Sequence, residues 1–262
     1  MDTDKTLRRR VNESLDYGLD APGLVRVFLV AGALASVAFI LALLTLGVRH
    51  WLGVGVATLA GIAALYLLGM GCLMLHWSKV TKVREREKAL NLIRWRGDEH
   101  VLDVGCGCGL MLIGAALRLT TGRAVGVDIW KAEDQSSNSP EAARDNARKA
   151  GVLDRIDIQT ADARTLPFDD RSFDVVLSHW VVHNLKSEPD RDRALAEIAR
   201  VLRPRGQLIL CDIEHRDAYA ATLEALGFSE CRVIFNPFKD AVLGLLSFGS
   251  FKPSTIAARL PT

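Results

Sequence analysis

The 262-residue chain has little of what nucleic-acid and metal sites require. Its formal net charge is only +2, and no stripe of Lys and Arg interleaved with aromatic residues occurs, so a nucleic-acid surface is not expected. Among its five cysteines, Cys106 and Cys108 form a C-x-C pair without the second pair or histidine cluster of a zinc site. We therefore predict no metal site, and free thiols in a reducing cytosol.

Charge is almost absent from residues 24–77, where Arg26 and Arg49 are the exceptions. Within this stretch, residues 27–48 and 52–75 carry no charged side chain. Each run exceeds the roughly 20 residues with which a helix crosses about 30 Å of hydrocarbon. A transmembrane hairpin is therefore predicted over residues 24–78. Neither run contains an acidic residue or a lysine, which favours an anchor over an ion pathway.

Basic residues flank the predicted hairpin on both sides, whereas its turn holds Arg49 alone. Those that precede it are Lys5, Arg8, Arg9, Arg10 and Arg26, and those that follow it are Lys79, Lys82, Arg84, Arg86 and Lys88. The positive-inside bias then places both termini in the cytoplasm, with residues 1–23 as a basic cytoplasmic segment. Residues 79–97 are interpreted as a juxtamembrane linker, either a helix against anionic head groups or a solvated connector.

From residue 98 onwards, short apolar runs alternate with helical segments. Strands are predicted at residues 101–104, 124–127, 156–160, 175–178 and 207–213. Ser139 and Pro140 suit a helix start, Gly151 a helix end, and Pro204 is expected to end the helix before the fifth strand. This alternation predicts a doubly wound α/β domain over residues 98–262, with a mostly parallel sheet that binds its ligand at the carboxyl ends of the strands.

The stretch "DVGCGCG" follows the first predicted strand. Gly105, Gly107 and Gly109 allow a sharp turn and a close approach of the backbone to a ligand. Leu110 stands where a dinucleotide fingerprint has its third small residue, so a nicotinamide-dependent oxidoreductase is only a partial match. Asp128, at the end of the second strand, is placed to accept hydrogen bonds from a ribose diol. Asp162, after the third strand, is placed to meet an exocyclic amine.

Residues 80–240 resemble the class I S-adenosylmethionine-dependent methyltransferases. "VLDVGCGCG" looks like their glycine motif, "VGVDI" like their second motif, and "TADARTLPFDDRSFDVVLS" like the region of their third and fourth strands. "RVLRPRGQLILCDI" looks like the segment before their fifth strand, with Arg205 in place of a glycine. The resemblance implies a seven-stranded, mostly parallel Rossmann-like sheet, whose last two strands would come from residues 231–236 and 249–257.

The resemblance also implies the cofactor S-adenosyl-L-methionine and its contacts. Asp103, Gly105 and Gly107 would hold the methionine part, Asp128 the ribose and Ile129 the adenine face, while Asp162 with Ala163 would meet the adenine edge. Two possibilities stay open for Trp130, which either covers the adenine or packs on the sheet. Gln135 and Asn138, in the long loop after Asp128, are further candidates for cofactor contacts.

Methyl transfer from a sulfonium is an in-line displacement that needs alignment more than a strong catalytic signature. Where the acceptor must lose a proton, His179 and His183 in "SHWVVHNL" are the candidate bases, and each has a core or capping role as its alternative. The predicted anchor favours a small hydrophobic or membrane-derived acceptor. A catalytically silent membrane-tethered protein of the same fold is the other alternative, and the oligomeric state stays open.

Overall fold

The computed structural model describes residues 15–45 and 51–262. These residues divide into two compact units, one of residues 18–82 and 132–136 and the other of residues 15–17, 83–131 and 137–262. The basic residues Lys5 and Arg8 to Arg10 and the turn residue Arg49 lie outside the described ranges, so the expected charge bias rests on sequence alone.

The first unit contains two long apolar helices, α1 (Pro22–Thr45) and α2 (Trp51–His76), and a π-helical turn (Trp77–Thr81) follows α2. Glycines bring the two helices together: a Cβ on Gly32 would lie 2.8 Å from the Leu68 side chain, and a Cβ on Gly71 would lie 2.6 Å from that of Leu29. Both helices are long and apolar enough to cross a membrane, which by itself is weak evidence of a span.

The same unit has a polar cluster between the residues that precede α1 and those that follow α2. The Lys82 ammonium is buried and donates to the Gly18 carbonyl at 3.0 Å and to the Asp20 carboxylate at 3.2 Å. The Ser78 hydroxyl donates to Asp20 at 3.0 Å. Backbone hydrogen bonds also join residues 19–21 to residues 134–136, which belong to the long loop after the second strand. The middle of that loop therefore serves as a structural support for the start of α1.

The second unit is an α/β domain whose seven-stranded sheet confirms the predicted fold class. The strands are β1 (His100–Val104), β2 (Arg123–Asp128), β3 (Ile156–Thr160), β4 (Phe173–His179), β5 (Leu202–Asp212), β6 (Ser229–Ile234) and β7 (Ser254–Arg259). The helices are α3 (Lys82–Leu90), α4 (Leu110–Ala116), α5 (Pro140–Lys149), α6 (Glu188–Val201), α7 (Arg216–Ala225) and α8 (Pro237–Leu246). The helix within the predicted linker 79–97 thus ends at Leu90.

The strand order β3-β2-β1-β4-β5-β7-β6 places the reversal of winding between β1 and β4. The first five strands pair in parallel, and β7 runs antiparallel to both β5 and β6. Alternate residues of β1 face opposite layers: Val101 packs in the core under α4, while Leu102 and Val104 pack in the core with α6. Carboxyl ends of β1, β2, β4 and β5 therefore meet at one edge of the sheet.

Candidate functional site

The glycine turn after β1 has the backbone conformation that only glycine adopts without strain. Gly105, Gly107 and Gly109 have φ angles of +75°, +51° and +88°. The backbone N–H groups of Gly105 and Cys106 donate to the Val127 carbonyl at 2.7 and 3.0 Å, which ties the turn to the end of β2. A Cβ on Gly105 would lie 2.1 Å from Cγ2 of Val181, so this position admits no larger residue without movement.

Asp128 lies against the glycine turn. One of its carboxylate oxygens accepts the Gly107 N–H at 2.9 Å, and the other accepts the Trp130 N–H at 2.7 Å and the Asn138 side-chain amide at 3.3 Å. The structure thus brings together two residues that the sequence placed at the ends of neighbouring strands. Asn138 reaches Asp128, whereas the Gln135 amide points to Asp20 at 3.5 Å, on the supporting side of the loop.

Asp103 is a buried acid beside this turn. Its side chain is 1% exposed, and neither carboxylate oxygen has a hydrogen-bond partner of ordinary geometry among the described residues. The pKa of Asp103 is raised to about 8, chiefly by burial and also by the nearby negative charge of Asp128, against the opposing effect of the Leu112 backbone N–H. A buried acid without a partner fits a cationic group of a ligand, because such a group would satisfy the carboxylate and favour its ionised form.

The remaining cofactor candidates follow β2 and β3. Ile129 is 44% exposed, which suits contact with a flat ring. Trp130 has a φ of +60°, and its indole N–H donates to the Thr160 hydroxyl at 2.8 Å. Its ring also packs on the core cluster under α4. The structure therefore supports the sheet-packing alternative for this residue.

Asp162 forms an ion pair with the neighbouring Arg164, at 2.7 Å between Oδ2 and Nη2. Hydrogen bonds from Arg164 hold the pKa of Asp162 below its ordinary value. Arg164 also binds Asp190 at 3.2 Å. Asp162 and Ala163 remain close to Asp128, because the N–H of Ala161 donates to the Asp128 carbonyl at 3.2 Å. A ligand at Asp162 would have to share it with Arg164 or use the backbone.

The two candidate histidines differ in their surroundings. His179 ends β4 and its ring stacks on Trp180, with 5.1 Å between centroids and 16° between planes. His183 lies in the short 3-10 helix Val182–Asn184, where its Nδ1 is 2.5 Å from Oδ1 of Asp212. Its backbone N–H donates to the other oxygen of Asp212 at 3.1 Å. Asp212 thus holds the ring in one orientation.

Sequence reasoning missed Asp212, the 2%-exposed acid that ends β5. The available signal was its position in "LILCDI", where an acid closes an apolar strand as Asp128 closes β2. A carboxylate beside Nδ1 favours the tautomer with its proton on that nitrogen and the lone pair of the imidazole on Nε2. Within residues 15–45 and 51–262, no cluster of three His, Cys, Asp or Glu side chains is arranged to hold a metal ion.

Comparisons with known proteins agree with this geometry. Residues 102–210 match the family described as "Methyltransferase domain". The chain is 43% identical over 113 residues to Methyltransferase GfsG of Streptomyces halstedii, an alignment that covers 43% of this chain and 37% of that protein. It is 39% identical over 116 residues to the demethylmenaquinone methyltransferase of Symbiobacterium thermophilum, covering 44% of this chain and 43% of the relative. The chain thus spans about two fifths of these relatives.

The fold is also that of a solved enzyme with a lipid-like substrate. A geranyl diphosphate C-methyltransferase from Streptomyces coelicolor A3(2), in complex with Mg²⁺, geranyl diphosphate and S-adenosyl-L-homocysteine, superposes with a TM-score of 0.54. The two are 16% identical over 67% of this chain and 78% of the other. At this identity, the likeness concerns the fold.

Proposed function

We propose that the protein is a class I S-adenosylmethionine-dependent methyltransferase that transfers a methyl group from S-adenosyl-L-methionine to a small hydrophobic acceptor. The observation that carries the proposal is the hydrogen bond between Asp128 and the N–H of Gly107, beside the buried and unpartnered carboxylate of Asp103. These groups suit the two chemically distinct parts of the cofactor, its ribose diol and its cationic amino acid.

The described residues fit the cofactor in a definite way. Asp103, Gly105 and Gly107 would hold the methionine part, because a cation would neutralise the buried carboxylate and the glycine backbone permits close approach. Asp128 would accept hydrogen bonds from the two ribose hydroxyls and keep its bond from the Asn138 amide. Ile129 would cover the adenine, and the backbone at Asp162 and Ala163 would meet its edge. When bound, the cofactor supplies an electrophilic methyl group on a sulfonium leaving group.

His183 is the proposed base for the acceptor. Its Nε2 would take the proton of a hydroxyl or an acidic carbon while that atom forms its bond to the methyl carbon and the carbon–sulfur bond breaks, leaving its electron pair on sulfur. Asp212 would stabilise the resulting imidazolium, as an oriented carboxylate does in other histidine bases. His179 would then line the acceptor site through its stacked pair with Trp180 rather than move the proton.

Aromatic side chains near the His183–Asp212 pair support an apolar acceptor. Trp180 meets the Phe251 ring edge-on, with 5.7 Å between the ring centroids. The backbone N–H of Trp180 donates to the carbonyl of Cys211, the residue before Asp212. The relative that methylates demethylmenaquinone, by its name, acts on an acceptor of this class. A quinone, an isoprenoid or another lipid-like molecule is therefore the proposed substrate class.

We also propose that α1 and α2 anchor the enzyme in a membrane, with both termini and the domain of residues 98–262 in the cytoplasm. In the most apolar 18 residues of α1 and of the helix that begins at Trp51, only 11% and 17% of the residues are buried, whereas the core helices of soluble proteins are mostly buried. Leu44 and Leu65 are more than three-quarters exposed, as lipid-facing residues would be. The anchor would hold the site at the surface from which a lipid-soluble acceptor comes.

The test uses the full chain purified in detergent. Incubation with S-adenosylmethionine carrying a labelled methyl group and a membrane-lipid extract is expected to label a lipid-soluble product, and the His183→Gln variant is the matched control. Calorimetry with S-adenosylhomocysteine and with NADH separates the alternatives. Binding of NADH alone would support an oxidoreductase, and cofactor binding without any labelled product would support a catalytically silent protein.

A further inference from the structure

Helix α8 exposes its apolar side chains and buries its acid. Phe238 is 78% exposed, Val242 41% and Leu245 80%, and with Ala241 they follow the i, i+3, i+4, i+7 spacing of one helix face. The opposite face packs inwards and includes Asp240, 8% exposed. Leu243, 9% exposed, packs inwards as well, so α8 carries apolar side chains on both faces and the exposed ones require an apolar environment of their own.

A buried ion pair fixes this orientation. Asp240 accepts a hydrogen bond from the guanidinium of Arg216, and that guanidinium lies 3.9 Å from the ring centroid of Phe235. Rotation of α8 to bury its apolar face would separate Asp240, whose side chain is 10% exposed, from Arg216. Because breaking a buried pair is strongly unfavourable, the outward apolar face is a built feature of the fold.

Helix α8 also lies beside the chain that leaves the apolar helices. The Lys239 ammonium is 3.4 Å from a carboxylate oxygen of Glu85 on α3. Glu85 follows His76, the last residue of α2, by nine residues, which reach about 30 Å at most even when fully extended. The length of the chain alone therefore limits how far Glu85, and α8 with it, can lie from the end of α2. The exposed cation Lys252 is then available to anionic head groups.

We propose that the exposed face of α8 docks into the boundary between head groups and acyl chains of the bilayer that α1 and α2 span. An amphipathic helix binds there with its apolar side buried and its cations at the phosphates. The proposal rests on the proposed membrane anchor and extends it: α8 is followed within five residues by Phe251, which contacts Trp180 near the His183–Asp212 pair. The docked helix would therefore place the acceptor site next to the source of its apolar substrate.

The experiment places an environment-sensitive fluorophore on a single introduced cysteine of the full chain, with Cys72→Ser and Cys231→Ser removing the accessible native thiols. Leu245→Cys reports on α8, Leu65→Cys on the proposed span, and Arg148→Cys, on the exposed face of α5, on the rest of the domain. Each variant is reconstituted in vesicles of zwitterionic and anionic lipids, with and without bromine on the acyl chains.

Brominated lipid is expected to quench the label at 245 and at 65, and to leave the label at 148 unchanged. Quenching at 65 without quenching at 245 would overturn the docking of α8 and leave the anchor intact, whereas its absence at both positions would overturn the anchor itself. If the label at 245 is protected from solvent but not quenched, a second copy of the chain covers this face, which also overturns the proposal. Leu245→Asp is expected to lower turnover of a vesicle-borne acceptor while the affinity for S-adenosylhomocysteine stays unchanged.

Discussion

The two halves of the proposed site use different groups, since the glycine turn acts through its backbone and the His183–Asp212 pair through its side chains. At the ends of β1 and β2, the glycine turn presents backbone N–H groups, and Asp128 is the last residue of β2. At the ends of β4 and β5, His183 and Asp212 are side chains that lie 29 residues apart in the chain and meet only in the folded domain. The glycine turn therefore tolerates different side chains between its glycines, whereas the contact of His183 with Asp212 depends on those two side chains.

Loss of the His183–Asp212 pair is expected to have the largest effect and to leave the cofactor half intact. His183→Gln removes the proposed proton acceptor and should lower kcat by about 10²–10⁴-fold. Asp212→Asn should lower it too, because the amide no longer holds the imidazole in the required tautomer. Single-turnover rates measure the methyl-transfer step, and calorimetry with S-adenosylhomocysteine measures the affinity of the cofactor half. An equal loss with His179→Gln would show that the base has been misassigned.

Asp128→Ala tests the cofactor half. The variant loses a charge-assisted hydrogen bond of about 1.5–3 kcal/mol to the ribose, so an affinity for S-adenosylhomocysteine about 100-fold weaker is expected by calorimetry. Asp154→Ala, at a carboxylate with a 74%-exposed side chain, is the matched control and should bind normally. Retained affinity in Asp128→Ala, with the protein folded, would contradict the placement of the ribose.

Two glycine-to-alanine variants separate the effect of steric crowding on stability from that of backbone strain. They are Gly105→Ala and Gly151→Ala. Both glycines have positive φ, +75° and +70°, but a Cβ on Gly105 would meet Val181 at 2.1 Å, whereas nothing lies within 4 Å of one on Gly151. We expect Gly105→Ala to be less stable than Gly151→Ala by about 1–3 kcal/mol, the usual range for overpacking. Thermal unfolding measures the difference. Equal midpoints would mean that Val181 moves aside and that the turn is not rigid.

Asn138→Ala is expected to have the smallest effect. It removes one hydrogen bond of 3.3 Å to Asp128, worth about 0.5–1 kcal/mol, so affinity for S-adenosylhomocysteine should fall about two- to fivefold. Asn91→Ala, at a residue that binds Arg118 on another part of the domain, serves as the control. No change in Asn138→Ala would assign this residue to the loop alone.

The sequence predicted each of the first five strands at its place in the chain, and its errors lie in the bounds of individual strands. The bounds of β3 were predicted correctly, but β5 begins at Leu202 rather than 207. Pro204 was interpreted only as a helix stop, yet it fits within the strand because the pairing with β4 shifts register between Phe173 and Val175. The last strand begins at Ser254 instead of 249, since α8 and its following turn occupy the preceding residues.

What the sequence alone determined is the part of this protein that depends on local rules. Glycine spacing specifies a turn, an acid after an apolar run specifies a carboxylate at a strand end, and two uncharged runs specify long apolar helices. Only the tertiary structure decided that Asp212 orients His183, that Arg164 pairs with Asp190, and that α8 presents an apolar face outwards. Each of these is a contact between side chains distant in the chain or a direction relative to the core, and no local pattern encodes which partner the folded domain brings near.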